Sequence, residues 1–80
     1  MHELSLAMSL IELVEAETVK SGNSRILLVK VIVGSVSGVD PDAFTFMLEL
    51  AKKNTMLENA AINLDIVDGN ELRVVSIEVE

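Results

Sequence analysis

The fold is decided by nine residues, Arg25–Val33, which read RILLVKVIV. Apolar side chains occupy both sets of alternate positions, so a β-strand here would lie in the middle of a sheet or be covered on both faces. The preceding segment, Lys20–Asn23, supplies a cation, Gly22 and Asn23, which together favour the end of a helix. The sequence therefore predicts a central strand that follows a helix directly.

The segment before this strand, residues 3–20, has the spacing of an amphipathic helix. Its apolar positions recur at intervals of three and four residues, and its glutamates mark the opposite, solvent-facing side. The predicted buried stripe comprises Leu4, Ala7, Ile11 and Val14, widened by Leu6, Leu10 and Leu13.

A second helix is predicted after the loop that follows the strand, residues 34–39. Asp40 is the expected N-cap and Pro41 the first helical residue, because the Asp side chain accepts from exposed amides and proline needs no helical donor. The helix should end at Lys52–Asn54. Its predicted buried stripe comprises Phe44, Met47, Leu48 and Ala51.

Two further strands complete the predicted order α-β-α-β-β. Ala61–Val67 alternates between apolar and polar residues, and Glu71–Val79 shifts its apolar face at Val74–Val75, which predicts a bulge or burial of both faces. Asp68–Asn70 has the composition of a tight hairpin turn. We expect an α+β fold in which two helices pack on one face of a three-stranded mixed sheet, with a parallel β-α-β crossover and a final hairpin.

Composition excludes several classes of function. The 80 residues suffice for one domain, half of them are apolar, and six cations against 13 carboxylates give a formal charge of −7. Such a charge disfavours nucleic acids and anionic membranes and suits metal cations or a basic protein partner. The absence of cysteine excludes disulfides and a zinc finger and fits a cytoplasmic protein. No segment resembles a membrane span or a signal peptide.

Catalysis is not expected from these residues. The only imidazole is at His2, so no serine has a partner base, and no pair of carboxylates is placed together by spacing alone. An acidic site built on Asp40, Asp42 and Asp65 is the remaining enzymatic alternative. Met8 and Met47 fall within helical patterns and are interpreted as core residues.

The position of His2 favours metal binding. A free α-amine, the amide between residues 1 and 2, and the His2 imidazole can chelate one ion through a five-membered and a six-membered ring. This three-nitrogen set suits Ni(II) or Cu(II) in a square-planar field. The fourth donor would be Glu3, another backbone nitrogen, water or a partner.

Four stretches of the sequence resemble the HypA family of nickel metallochaperones for hydrogenase and urease maturation. They are the opening Met1–Ala7, the loop Val33–Pro41 with its Gly-x-x-Ser-Gly-Val-x-Pro pattern, the helical Phe44-x-Phe46-x-x-Glu49-Leu50, and the closing Glu71–Glu80. They cover nearly the whole chain in the family's order.

The resemblance implies a nickel-binding domain spanning residues 1–80. It implies metal donors at Met1 through the amine, at His2 through its side chain and adjacent backbone nitrogen, and at Glu3. Asp40 aligns with a position near the metal in some members, although it is also the expected N-cap. The implied role is delivery of Ni(II) for [NiFe]-hydrogenase maturation, with urease as a second client and a HypB-type GTPase as partner.

One departure from the family is large. Its members carry a zinc domain with Cys-x-x-Cys pairs, whereas here Val67 continues directly into Asp68 and no cysteine is present. We therefore expect that this chain binds no zinc. We also expect that the zinc domain is missing at the 67/68 junction, through an engineered deletion or a natural loss. Edges left open there would allow a monomer or a weak, domain-swapped homodimer. The alternative function is a metal-free docking domain for a maturation GTPase.

Overall fold

The computed structural model describes residues 3–80. Its elements, in chain order, are α1 (Glu3–Lys20), β1 (Ile26–Gly34), α2 (Pro41–Ala51), β2 (Ala61–Val67) and β3 (Leu72–Val79). The predicted order α-β-α-β-β is confirmed, with bounds that differ by one residue at β1 and at the start of β3. Within residues 3–80, neither helix combines the length and the apolar character that crossing a bilayer requires.

The strand β1 lies at the centre of the sheet, as its sequence predicts. The strand order is β2-β1-β3, with β1 parallel to β2 and antiparallel to β3. Val29, Val31 and Val33 are buried on one face of β1. In the central position, the backbone groups of β1 form hydrogen bonds along both edges of the strand. A buried apolar strand needs these bonds more than the half-exposed β2 does, because water cannot replace them.

The prediction of a β2–β3 hairpin is wrong. β2 and β3 lie on opposite sides of β1, and residues 68–71 cross over the carboxyl end of β1. Three backbone hydrogen bonds hold this crossing. The Gly34 amide donates to the Glu71 carbonyl, the Ser35 amide to the Val67 carbonyl at 2.7 Å, and the Val36 amide to the Gly69 carbonyl at 2.9 Å. The Asp-Gly pair indicates that the chain reverses direction, but it does not decide which strand β3 pairs with. β3 pairs with the free edge of β1.

The shift of apolar face at Val74–Val75 is a β-bulge. Lys30 pairs with Ser76 and Val31 with Val74, so Val75 is left without a partner in the ladder. A second irregularity at Leu27 of β1 restores the register towards Ile26 and Val79. The extra residue in each strand changes which side chains face the helices, and this allows both halves of β3 to contribute to the core.

Both helices pack on the same face of the sheet, as predicted. The core contains the buried face of α1, α2 and β1 together with Leu57 and Ala60 from the connection after α2. The prediction of burial is wrong for three residues, Leu4, Met8 and Leu13, which are exposed. They lie at the flanks of the apolar stripe of α1. The small sheet and α2 together cover only the middle of that stripe.

Glu15 fixes the connection after α2 to α1. Its Oε2 accepts a hydrogen bond from the Met56 backbone amide at 3.0 Å, in a half-buried position. Residues 52–60 carry turns and no helix or strand. This contact and the burial of Leu57 and Ala60 connect the segment to the rest of the fold.

We expect Glu15→Ala to lower the free energy of unfolding by about 1–2 kcal/mol, because it leaves the Met56 amide without its partner. Glu15→Gln, which keeps an acceptor oxygen, should lose less than half as much. The matched control is Glu12→Ala on the exposed side of the same helix, which should change stability by no more than about 0.5 kcal/mol. Urea unfolding followed by circular dichroism measures all three, and equal losses for Glu12→Ala and Glu15→Ala would contradict the role of this contact.

Candidate metal site at one end of the fold

Glu3, the first described residue, begins α1 and is half-buried. Ala7, one turn further along, is fully buried, so the first turn of α1 is anchored to the core. The predicted donors Met1 and His2 lie outside the described residues. The described part of the candidate site is therefore an anchored helix start that carries the Glu3 carboxylate.

The start of α1 lies at the same end of the fold as the 68–71 crossing. Leu6 of α1 and Leu72 and Arg73 of β3 line one apolar groove, which places the beginnings of these two elements side by side. The crossing enters β3 at this point. Glu3 and the 67/68 junction thus belong to one end of the molecule.

Asp40 caps α2, as predicted. Its Oδ1 accepts hydrogen bonds from the backbone amides of Asp42 at 3.0 Å and Ala43 at 3.3 Å. A carboxylate in this position is further stabilised by the positive end of the helix dipole. The capping interpretation is confirmed; the metal-ligand interpretation of Asp40 stays a prediction.

Among residues 3–80, no three His, Cys, Asp or Glu side chains are grouped so that they could hold a metal ion. In particular, Asp40 and Asp42 open α2, whereas Asp65 pairs in register with Ile32 on the side of the sheet away from the helices. The sheet separates these carboxylates, so the acidic enzymatic site considered from the sequence is not assembled.

Two exposed apolar residues of α2, Phe46 and Leu50, enter the sequence analysis only through the family resemblance and were given no role as a surface. Both lie outside the stripe that contains Phe44 and Leu48, and their exposure follows from the helical spacing. The signal was present in the sequence, as apolar residues on the polar side of a predicted helix.

A sequence model described as hydrogenase/urease nickel incorporation, metallochaperone, hypA matches residues 1–70. The chain belongs to the HypA family. A relative from Roseiflexus sp. (strain RS-1), a hydrogenase maturation factor HypA, is 40% identical over 67 residues, which are 84% of this chain and 54% of the relative. Another, from Geobacter metallireducens, is 38% identical over 69 residues, 86% of this chain and 60% of that protein.

Solved structures of family members have the same fold. The solution structure of the Ni metallochaperone HypA from Helicobacter pylori superimposes with a TM-score of 0.84 at 26% identity, over 99% of this chain and 97% of that one. A second HypA solution structure gives a TM-score of 0.76 at 27% identity, over 100% and 97% of the two chains. The chain spans little more than half the length of the curated relatives it matches.

Proposed function

We propose that this chain is a nickel-binding metallochaperone domain that captures Ni(II) at its N-terminus and delivers it for [NiFe]-hydrogenase maturation, with urease as a second client. The observation that carries the proposal is the place of His2 in a chain whose family match begins at residue 1. The solved neighbour from Helicobacter pylori is itself a Ni metallochaperone.

The donors would be the Met1 amine, the backbone nitrogen between residues 1 and 2, and the His2 imidazole. Such a nitrogen set favours Ni(II) or Cu(II) over magnesium and calcium, which prefer oxygen. Glu3 is close in sequence and can supply an oxygen donor or balance charge. Asp40 is the weaker candidate because its Oδ1 is already engaged by two amides.

Delivery requires that the metal be released as well as bound. A chelate made largely of terminal groups can lose its donors one at a time to an acceptor. Protons compete for the imidazole, whose ordinary pKa is about 6.5, and for the amine, whose ordinary pKa is about 7.7–8.0. Nickel binding should therefore weaken as the pH falls through this range. The proposed role is delivery, not catalysis.

The additional length of the relatives would be accommodated at the 67/68 junction, where the family's zinc domain is expected. This junction lies at the same end of the fold as Glu3, so a domain inserted there would be near the proposed nickel donors. Without it, residues 1–80 would form a nickel domain that holds no zinc. We place it in the cytoplasm, as a monomer or a weak dimer, with a HypB-type GTPase as its partner.

Calorimetric titration of Ni(II) into protein with a native N-terminus tests the proposal. We expect one site per chain, loss of at least about 100-fold in affinity for His2→Ala, and a similar loss on acetylation of the α-amine, since each change removes a nitrogen of the chelate. Asp65→Asn, on the opposite side of the sheet, is the control and should leave affinity unchanged. No saturable binding by the unmodified chain would refute nickel capture by this domain and favour the docking alternative.

A further inference from the structure

The net charge of the chain is concentrated on its helices. Residues 3–20 and 40–51 carry seven carboxylates against the single cation Lys20, whereas the remaining described residues carry six carboxylates against five cations. The seven are Glu3, Glu12, Glu15, Glu17, Asp42 and Glu49 on the helices, and Asp40 at the N-cap of α2. The helix layer is therefore strongly acidic, and the sheet and the connections are nearly neutral.

Ion pairs strengthen this asymmetry. Three of the four pairs among residues 3–80 lie on the sheet and its flanks: Arg25–Glu80, Lys30–Glu78 and Arg73–Glu71. The fourth joins Lys52 to Glu49 at 3.0 Å. Glu49 is thus the one helical carboxylate of the described chain that has a cationic partner, and the others present their charge to solvent or to backbone amides.

This acidic layer also exposes apolar side chains. On α1, Leu4 is 49% exposed and Met8 is 53% exposed, and they lie one turn apart. Glu15 continues the same stripe two turns after Met8 and contacts Met56, which follows α2. The stripe of Leu4 and Met8 therefore runs along the side of α1 that is turned towards α2.

α2 presents a matching flank. Phe46 is 60% exposed and Leu50 is 44% exposed, again one turn apart, and Met47 packs against the core beside them. Lys52 lies on the other flank of α2, where its Nζ donates to the Ala60 carbonyl at 2.8 Å, next to the start of β2. The flank of Phe46 and Leu50 is consequently turned towards α1, and α1 and α2 pack against each other.

Because the two helices pack against each other with these flanks facing, their side chains border the same interhelical groove. We call this surface the interhelical patch; it consists of Leu4, Met8, Phe46, Met47 and Leu50. Carboxylates border it on both helices. Glu12 lies one turn after Met8 on α1, and Asp42 lies one turn before Phe46 on α2. An apolar strip with flexible methionines, bordered by one carboxylate on each helix, is complementary to a helix that has apolar and cationic faces.

We propose that the interhelical patch docks a basic amphipathic helix of a partner protein. The apolar face of that helix would cover Met8, Phe46 and Leu50, and its lysines and arginines would approach Glu12 and Asp42. The same carboxylates repel anionic membranes and nucleic acids. The surface uses none of the proposed nickel donors, so it can be tested separately from metal capture.

A fluorescently labelled leucine–lysine peptide of about 20 residues, patterned as an amphipathic helix, is a suitable probe. We expect saturable binding by fluorescence anisotropy, at least tenfold weaker for Phe46→Ser and for Met8→Ser. Affinity should fall as salt rises from about 0.05 M to about 0.3 M, because salt screens the attraction between the peptide's lysines and the carboxylates of the helix layer. Amide chemical shifts should change on the exposed sides of α1 and α2 and not on the helix-free face of the sheet.

Leu13→Ser is the matched control, since Leu13 is also on α1 and is as exposed as Met8, at 53%, but borders the groove beside β3. It should change the affinity by less than twofold. Equal weakening by Leu13→Ser and Met8→Ser, or no saturable binding, would overturn the proposal. So would a concentration-dependent dimer that Phe46→Ser abolishes, because the occupant would then be a second copy of this chain. Circular dichroism of each variant verifies that it is folded.

Discussion

Replacing Gly34 by alanine should destabilise the protein by about 3 kcal/mol, a large part of the stability of a domain this size. A Cβ at this position would overlap the Gly69 carbonyl oxygen and would lie 2.7 Å from the Glu71 amide nitrogen. Both atoms belong to the backbone that crosses the end of β1, so no side chain can turn away to make room. Since Gly34 is not among the glycines with positive φ, its requirement is for space.

The control for Gly34→Ala is Gly22→Ala. Gly22 has φ of +82° and no atom within 4 Å of an added Cβ. Gly22→Ala should therefore lower the free energy of unfolding only by the strain of a left-handed alanine, about 1 kcal/mol. Two glycines inserted between Gly69 and Asn70 would let the crossing move outwards and should restore part of the stability of Gly34→Ala. Urea unfolding measures the four proteins. A loss for Gly34→Ala no larger than for Gly22→Ala would contradict the close crossing.

Phe44→Ala should lower the free energy of unfolding by about 3–5 kcal/mol. Phe44 is fully buried and is the largest side chain in the core, between α2 and the sheet. Its removal leaves a cavity that the surrounding helices and sheet can close only in part. Because this loss approaches the total stability, Phe44→Leu, with an expected loss of about 1–1.5 kcal/mol, keeps the measurement within range.

Phe46→Ala is the matched control for Phe44→Ala, since it makes the same change two residues further along α2 at an exposed position. It should alter stability by no more than about 0.5 kcal/mol, because little apolar surface is buried there and alanine favours the helix. Thermal and urea unfolding should rank the variants in the order Phe46→Ala, Phe44→Leu, Phe44→Ala. Equal losses for the two alanine variants would show that α2 is rotated from the arrangement described.

The separation of the two phenylalanines has a functional consequence. Phe44 holds α2 on the sheet, and Phe46 contributes to the interhelical patch on the opposite side of the same helix. A variant at Phe46 can therefore remove the proposed partner contact without unfolding the domain, and a His2 variant can remove the proposed chelate without touching the patch. Metal capture and docking are in this way open to separate experiments.

The sequence by itself determined the five elements, their order and the central place of β1. These features depend on local signals: the helical spacing of α1, the Asp40-Pro41 start of α2, and the apolar run of β1. It also located the bulge at Val75 as one of two alternatives, because a shift of apolar face along a strand is visible in the residues alone. The proposed nickel donors likewise depend only on neighbours in sequence, Met1, His2 and Glu3.

Only the tertiary structure decided which edge β3 would use. Asp68-Gly69 predicts that the chain reverses direction. A hairpin with β2 and a crossing over the end of β1 both begin with such a reversal, and the choice between them depends on the distant edge of β1. The requirement for glycine at position 34 follows from that crossing and has no local signal. The exposure of Leu4, Met8 and Leu13 was also decided at this level, because two helices on a small sheet bury the middle of an apolar stripe and leave its flanks to solvent.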